Sequence, residues 1–299
     1  MVDFIHNNKD RYGVEAICRI LPIAASTYYR ALDLVDNPEH RAKRALHDLH
    51  HAEQIKRIWK ESLGRYGVRK VWQQLKREGY VIARCTVARL MQKLGIQGVW
   101  RGKNKQTTRS RDDQKRADDL VKRNFNADHP DQLWVADFTY IQTHSGWVYT
   151  AFIIDVFSRA IVGWKVSTRM NTDMVLDALE QALHDRGMPK NVIHHSDRGV
   201  QYLSIRYTNR LEAANLRASV GTTGDSYDNA LAETVNGLYK TEVIEYLKAD
   251  WQGLADVQLA TLNWVDWFNK ERVHSALGYV SPFEFEAMYY DKINPLGQV

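Results

Sequence analysis

A chain of 299 residues, 44% hydrophobic and 26% charged, has the composition of a soluble globular protein and room for one large domain or two to three smaller ones. No apolar run approaches the length needed to cross a bilayer, and the start, Met-Val-Asp-Phe-Ile-His-Asn-Asn, lacks a signal-peptide pattern, which sets aside membrane-spanning and secreted classes. The net charge of +5 hides a split: residues 1–125 carry 27 Lys and Arg against 14 Asp and Glu, whereas residues 126–299 carry 14 against 22. A basic front half points to a polyanion partner, most simply nucleic acid, and an acidic rear half suits a domain that holds cations. Charged faces that merely aid solubility are the bland alternative, and so uneven a division argues against it. The two cysteines, Cys18 and Cys85, lack the pair spacing of a metal site and read as small core residues in a reducing cytosol.

Residues 1–36 form a short helical segment. Val14, Ile17, Cys18 and Leu21 repeat at helical spacing, Pro22 stops the helix, and Ser26 is placed to cap a second one over 27–32. Residues 37–100 read as a helix-turn-helix-like DNA-binding region. A long helix over 40–62 turns Leu46, Leu49, Ile55, Ile58 and Trp59 inward, and two shorter helices follow over 69–78 and 86–94, closed by Gly79 and Gly95. Arg84, Arg89 and Lys93 are its candidates for phosphate or base contact; a small helical bundle with a basic face is the competing view. Residues 101–126, with Arg101, Lys103, Lys105, Arg109 and Arg111, form a basic linker suited to lying along DNA.

After Pro130 the texture changes. Strands over 132–142, 147–157 and 160–166, joined by short turns, predict an antiparallel meander. A helix over 172–186 follows, then a strand over 192–195, a helix over 204–214 and a short strand over 216–220. This order predicts an α/β domain, a mixed five-stranded sheet flanked by helices, and it is the element order of the ribonuclease H-like fold. The core extends over 127–290, its C-terminal part being helices; the segment 254–268, with Leu259, Leu262, Val265 and Trp267, reads as a packing helix.

Three carboxylates stand out. Asp137 interrupts the apolar strand Trp134-Val-Ala-Asp-Phe-Thr-Tyr140, where a charge is costly unless paired or metal-bound. Asp197 ends the strand Val-Ile-His-His-Ser-Asp, and ligands of open α/β sheets sit at strand ends; by itself it would pass for a turn cap. Glu233 falls on a polar helical stripe with Asn229, Asn236 and Lys240, within about 60° at 100° per residue, opposite Leu231, Val235 and Leu238. Carboxylates from three elements suit two divalent cations, which activate an attacking oxygen and stabilise a leaving one in phosphoryl transfer; Mg²⁺ fits such a set. His195 either orients Asp197 or sits in the core. Asp155 reads as turn-forming, and Asp228 or Ser226 as a helix cap within a Gly-rich loop. Arg272 and His274 either meet DNA or pair with the acidic core.

The blocks around Asp137, the block His195-Ser-Asp-Arg-Gly-Val-Gln-Tyr202, and Asp228-Asn-Ala-Leu-Ala-Glu233 resemble the catalytic blocks of DDE transposases and retroviral integrases. Asp197 and Glu233 enclose 35 residues, and Lys240 follows Glu233 by seven positions, as in that family. Asn269-Lys-Glu-Arg-Val-His274 and Ser281-Pro-Phe-Glu-Phe285 match further downstream. The chain is similar, nearly end to end, to the second reading-frame product (OrfB) of the insertion sequence three family. The resemblance implies a bacterial transposase, located in the cytoplasm and on the nucleoid when bound. It implies cleavage at an element's ends and joining of a 3′-OH to another phosphodiester, with Asp137, Asp197 and Glu233 as catalytic metal ligands and Lys240 and Asn229 near DNA. Implied cofactors are Mg²⁺, with Mn²⁺ able to substitute. Implied partners are double-stranded DNA, both element ends and target, the upstream reading-frame protein or a fusion to it, and further copies of this chain on DNA; none is a membrane. A non-catalytic DNA-binding regulator and a nuclease that cuts without joining are the rival readings.

Overall fold

The computed structural model describes residues 1–100, 121, 125–197, 199–220, 230–247 and 250–294. Three short helices come first: α1 (Val2–Tyr12), α2 (Val14–Ile20) and α3 (Ala25–Asp36). They close around Ile5, Ile17 and Tyr28, a small cluster of their own. The helix α1 has too few apolar residues to announce itself by periodicity; its Ile5 is nonetheless fully buried. Leu21, before Pro22, is extended, because a proline disfavours helical backbone at the residue preceding it. Ser26 is not a cap: α3 starts two residues earlier than expected, at Ala25 with Ala24 at the N-cap, so Ser26 lies inside the first turn.

The next three helices, α4 (Lys43–Glu61), α5 (Val68–Arg77) and α6 (Arg84–Lys93), form the expected helical region. Ile55 and Ile58 of α4, Val71 and Leu75 of α5, and Val87, Leu90 and Met91 of α6 are buried. Leu49 departs from expectation. It is 42% exposed, because the first half of α4 runs past the part of the core that covers Ile55 and Ile58. Cys85, near the start of α6, is exposed rather than a core residue; Cys18 is half-buried against the N-terminal cluster.

The sheet has the order β3-β2-β1-β4-β5. Strands β1 (Leu133–Thr143), β2 (Gly146–Asp155) and β3 (Ile161–Ser167) form the antiparallel meander. Helix α7 (Thr172–Asp185) then leads to β4 (Ile193–Ser196), and α8 (Ile205–Ala213) leads to β5 (Arg217–Val220). Both β4 and β5 run parallel to β1. Period-two alternation divides β1 between two cores. Trp134 and Ala136 enter the layer covered by α7 and α8, with Leu179, Leu183, Tyr207 and Leu211. Leu133 and Val135 enter the opposite layer, with α9 (Ala230–Tyr239) and α10 (Leu254–Lys270). At Gly163 of β3 the α7 backbone comes so close that an added Cβ would lie 2.2 Å from the Ala178 carbonyl oxygen.

The second layer also takes in α4 to α6, whose buried side chains belong to the same apolar cluster as β1, α9 and α10. Polar contacts tie them together: Val273 N–H donates to the Tyr66 hydroxyl (2.8 Å), and Arg65 Nε donates to the Glu242 carbonyl (3.2 Å). In α10 the buried face is Val257, Thr261, Trp264, Val265 and Phe268, while Leu259 and Leu262 are 60% and 50% exposed. A π-helical turn, Lys240–Glu245, continues α9, and α11 (Pro282–Ile293) closes the described chain, capped by the Ser281 hydroxyl. No helix among the described residues is long and apolar enough to cross a membrane.

Candidate active site

Ala136 of β1 is the register partner of Ser196 of β4. Asp137 and Asp197 follow these two residues, so they stand side by side where two adjacent parallel strands reach the end of their pairing. Asp137 points to the α9 face, since Val135 before it does. Its Oδ1 accepts from the Phe138 N–H (2.8 Å), and its Oδ2 accepts from Asn236 Nδ2 (2.8 Å) on α9. The Oδ1 of Asp197 accepts from the Gly199 N–H at 2.9 Å. A Cβ at position 199 would sit 3.0 Å from that same oxygen, so the turn favours glycine by close approach.

The electrostatics of the pair are unfavourable without a counter-charge. Burial pushes the Asp137 carboxyl well above the usual carboxylate range, the Asp197 charge pushes it further, and Glu233 adds a weaker push. The Phe138 and Asn236 donors oppose the rise. Burial also raises Asp197, against the Gly199 amide and the nearby His195. Glu233, exposed on α9, therefore acts on the same spot from the opposite element. Asp197 and Glu233 both lie within electrostatic reach of Asp137, Asp197 as its close neighbour.

The donor set suits a hard cation. It consists of carboxylate oxygens and a carboxamide, and the buried Asn236 Oδ1 has no hydrogen-bond partner among the described residues. A cation between Asp137 and Asp197 would offset their repulsion. Among the described residues no group of three or more His, Cys, Asp or Glu side chains is gathered closely enough to hold a metal ion, so the arrangement is an open pair facing Glu233.

The other singled-out residues fall in several places. Lys240 is half-buried at the start of the π-helical turn, its ammonium 4.6 Å from the Tyr140 ring centroid. Arg84, Arg89 and Lys93 are exposed on α6, and Arg89 pairs with Asp48 of α4 at 2.7 Å. Asn229, Asp228, Ser226 and most of the basic linker lie outside the described residues. His195 is buried, its Nδ1 2.9 Å from the Ser219 hydroxyl, and it lies close enough to Asp197 to lower that carboxyl. Asp155 is turn-forming: it accepts from the N–H groups of Asp131 and Ser158 and from the Ser158 hydroxyl. Arg272 pairs inside the core, with Glu242 (2.6 Å).

Two neighbours of the site carried no expectation. Asn236 was visible on the polar stripe, one turn beyond Glu233, but its hydrogen bond depends on how α9 is rotated over β1. Tyr202, which closes the block begun at His195, is buried with its hydroxyl unpartnered among the described residues, and the charges of Asp137 and Asp197 reach it.

Comparison with known proteins agrees with this architecture. The integrase core domain family matches residues 127–226, a second integrase core domain family matches 214–282, and the HTH-like domain family matches 47–104. The sheet, the helical region and these matches define the class: an integrase-type polynucleotidyl transferase with a helix-turn-helix-like region ahead of its core. The chain is 52% identical to the transposase for insertion sequence element IS629 of Shigella sonnei, over 98% of each chain. It is 50% identical to a putative transposase for IS986/IS6110 of Mycobacterium tuberculosis, over 90% of this chain and 97% of that one. It is 31% identical to the InsF transposase of IS3A from Escherichia coli K12, over 95% and 97%. Among solved structures, the HTLV-2 integrase catalytic core domain in complex with magnesium superposes with a TM-score of 0.44 at 18% identity, over 54% of this chain and 99% of that one. The chain belongs to the DDE transposases of the insertion sequence three family, and it is a transposase. Catalysis by an integrase core depends on a divalent cation.

Proposed function

We propose that Asp137, Asp197 and Glu233 are the carboxylates through which this transposase cuts and joins DNA. The observation that carries the reading is the parallel register of β1 and β4, with Asp137 and Asp197 abreast and mutually repelling. The proposed cofactor is Mg²⁺, two ions in all, with Mn²⁺ as a substitute. Bound there, such ions supply Lewis acidity, acidifying the attacking hydroxyl and stabilising the departing oxygen. In the overall reaction an oxygen–phosphorus bond forms as another breaks, with the displaced oxygen ending as a free 3′-OH of the donor strand in cleavage.

The chain's own residues hold this site in shape. The Phe138 amide and Asn236 fix both oxygens of Asp137, and the Gly199 amide fixes Asp197. Lys240, on the same helical stripe as Glu233, offers a positive charge for a DNA phosphate, and Asn229 extends that stripe. Arg84, Arg89 and Lys93 are proposed contacts of the helix-turn-helix-like region; their exposure on α6 supports this. For Arg89 the contact requires exchange of Asp48 for a phosphate. The proposed partners are element ends, target DNA, other copies of this chain and the upstream reading-frame protein, in the bacterial cytoplasm.

The test is a strand-transfer assay on element-end DNA with a target duplex, with and without the upstream-frame protein. Wild type with Mg²⁺ or Mn²⁺ should give joined product. Asp137→Asn, Asp197→Asn and Glu233→Gln should each lower it by at least about 100-fold, the loss common when a charge-stabilising group is removed from a reacting centre. Full activity in any of the three would remove that residue from the assignment. Cut but unjoined DNA from wild type would favour the nuclease reading.

A further inference from the structure

Behind α9, on the side turned away from Asn236 and Asp137, lies a cavity of about 520 Å³, within the range of about 300–1,000 Å³ typical of small-molecule sites. Leu231, Thr234 and Leu238 of α9 line it. Its polar wall is cationic. Lys70 comes from α5, Arg159 from the turn between β2 and β3, and Arg272 from the segment after α10. Three parts of the chain far apart in sequence thus bring a lysine and two arginines to one hollow; Arg272 is paired with Glu242, and burial, then the Arg272 charge, lower the Lys70 ammonium to about 7, a fall that a bound anion would reverse. Phe125 and Phe268 add apolar rings to the lining, the Phe268 ring lying under the Arg272 guanidinium at 5.3 Å.

The negative charges nearby are already engaged. Glu242 accepts from Arg272 and from Trp264 Nε1. Asp155, the carboxylate within electrostatic reach of Arg159, is held by Asp131 and Ser158. Among the described residues neither Lys70 nor Arg159 forms an ion pair with a carboxylate; the Lys70 ammonium lies 5.0 Å from the Tyr66 ring centroid. Arg159 also holds φ at 65°, left-handed backbone that a long side chain adopts at a cost and that clusters at ligand sites. His274, on the same wall, registers the field: burial first, then the charges of Arg272, Lys70 and Arg159, hold its imidazole far below its usual range. Partly buried cations without a counter-ion are costly, and a bound anion offsets that cost.

We propose that this cavity is a phosphate-binding site, taking one nucleoside phosphate unit, in a DNA strand or free, between Lys70, Arg159 and Arg272 and the two phenylalanine rings. The catalytic carboxylates are on the other side of α9 and take no part in it. A ligand here bridges the helix-turn-helix-like region, through Lys70, to the back of the helix that carries Glu233.

The test uses the full chain in EDTA, so that the carboxylate reading and this one stand or fall separately. Two variants remove one charge each: Lys70→Gln, and Arg159→Asn, in which asparagine tolerates the left-handed backbone. Arg206→Gln, from an exposed pair with Asp173, is the control. In the first arm, inorganic phosphate and dAMP are titrated at constant ionic strength while thermal unfolding is followed. Both should raise the midpoint of wild type and Arg206→Gln, and the rise should be lost in Lys70→Gln and Arg159→Asn. In the second arm, binding of a short duplex is followed against salt. If a strand phosphate is the occupant, the slope of log K on log salt falls by about 1 in each cavity variant. A response in the first arm alone identifies a free nucleotide. Cavity variants that keep both the phosphate-dependent rise and the wild-type salt slope overturn the proposal.

Discussion

Two carboxylates abreast at the end of hydrogen-bonded strands work against folding, and a cation between them would offset that cost. The cost is tied to pH through Asp137. Its folded-state pKa lies above the ordinary 3.8, because burial and the Asp197 charge both disfavour ionisation. The unfolded chain therefore releases this proton first, and stability is lost as pH rises from about 4 upward toward the folded-state value. Asp137→Asn abolishes the charge and keeps the shape. In EDTA it should unfold at a higher temperature than wild type, and the gain should be larger at about pH 8 than at about pH 5.5. Millimolar Mn²⁺ should shrink the gain by stabilising wild type alone. A variant less stable than wild type at both pH values would contradict the account of this pair. Asp137 and Asp197 were legible in the sequence because each interrupts or ends an apolar run. Asn236 and Tyr202 were not, because a neutral polar side chain on a helix, or a tyrosine after a turn, looks the same whether it meets a carboxylate or water.

At the scale of elements, apolar runs and alternation between turns identified all five strands to within a residue or two. Helix faces were harder. Leu259 and Leu262 are leucines on the outside of α10, and Thr261 and Trp264 on its inside take their place. On that inner face Trp264 meets Glu242, whose carboxylate accepts from both Trp264 and Arg272. That residue lies on the π-helical turn, which no local pattern announces. The contact of α7 on β3 is likewise hidden in one letter, Gly163. Gly163→Ala should cost about 1–3 kcal/mol, the usual penalty for overpacking, since its Cβ would meet the α7 backbone rather than a side chain able to move. Chemical denaturation measures this directly, and an unchanged midpoint would mean that α7 can shift away from the sheet.

The whole molecule is less modular than its sequence texture suggests. The change in composition near residue 126 marks different surfaces, yet α4 to α6 bury their side chains in the cluster shared with β1, α9 and α10. The helices α1 to α3 keep a separate small cluster. Removing residues 1–36 should therefore leave the melting midpoint of the remainder nearly unchanged. Removing residues 1–100 should uncover the apolar faces that Ile55, Val71 and Leu90 now cover, giving a chain that aggregates or melts far lower. A soluble fragment without these helices, melting like the full chain, would show that the shared cluster contributes little.

The central claim is that Asp137 and Asp197, with Glu233, hold the reaction's metal. Crystals of the chain soaked in Mn²⁺ and measured for anomalous scattering test it most directly. The account predicts an anomalous peak in contact with the carboxylates of both Asp137 and Asp197, absent in Asp197→Asn. A peak at other residues, with none between these two, would contradict it.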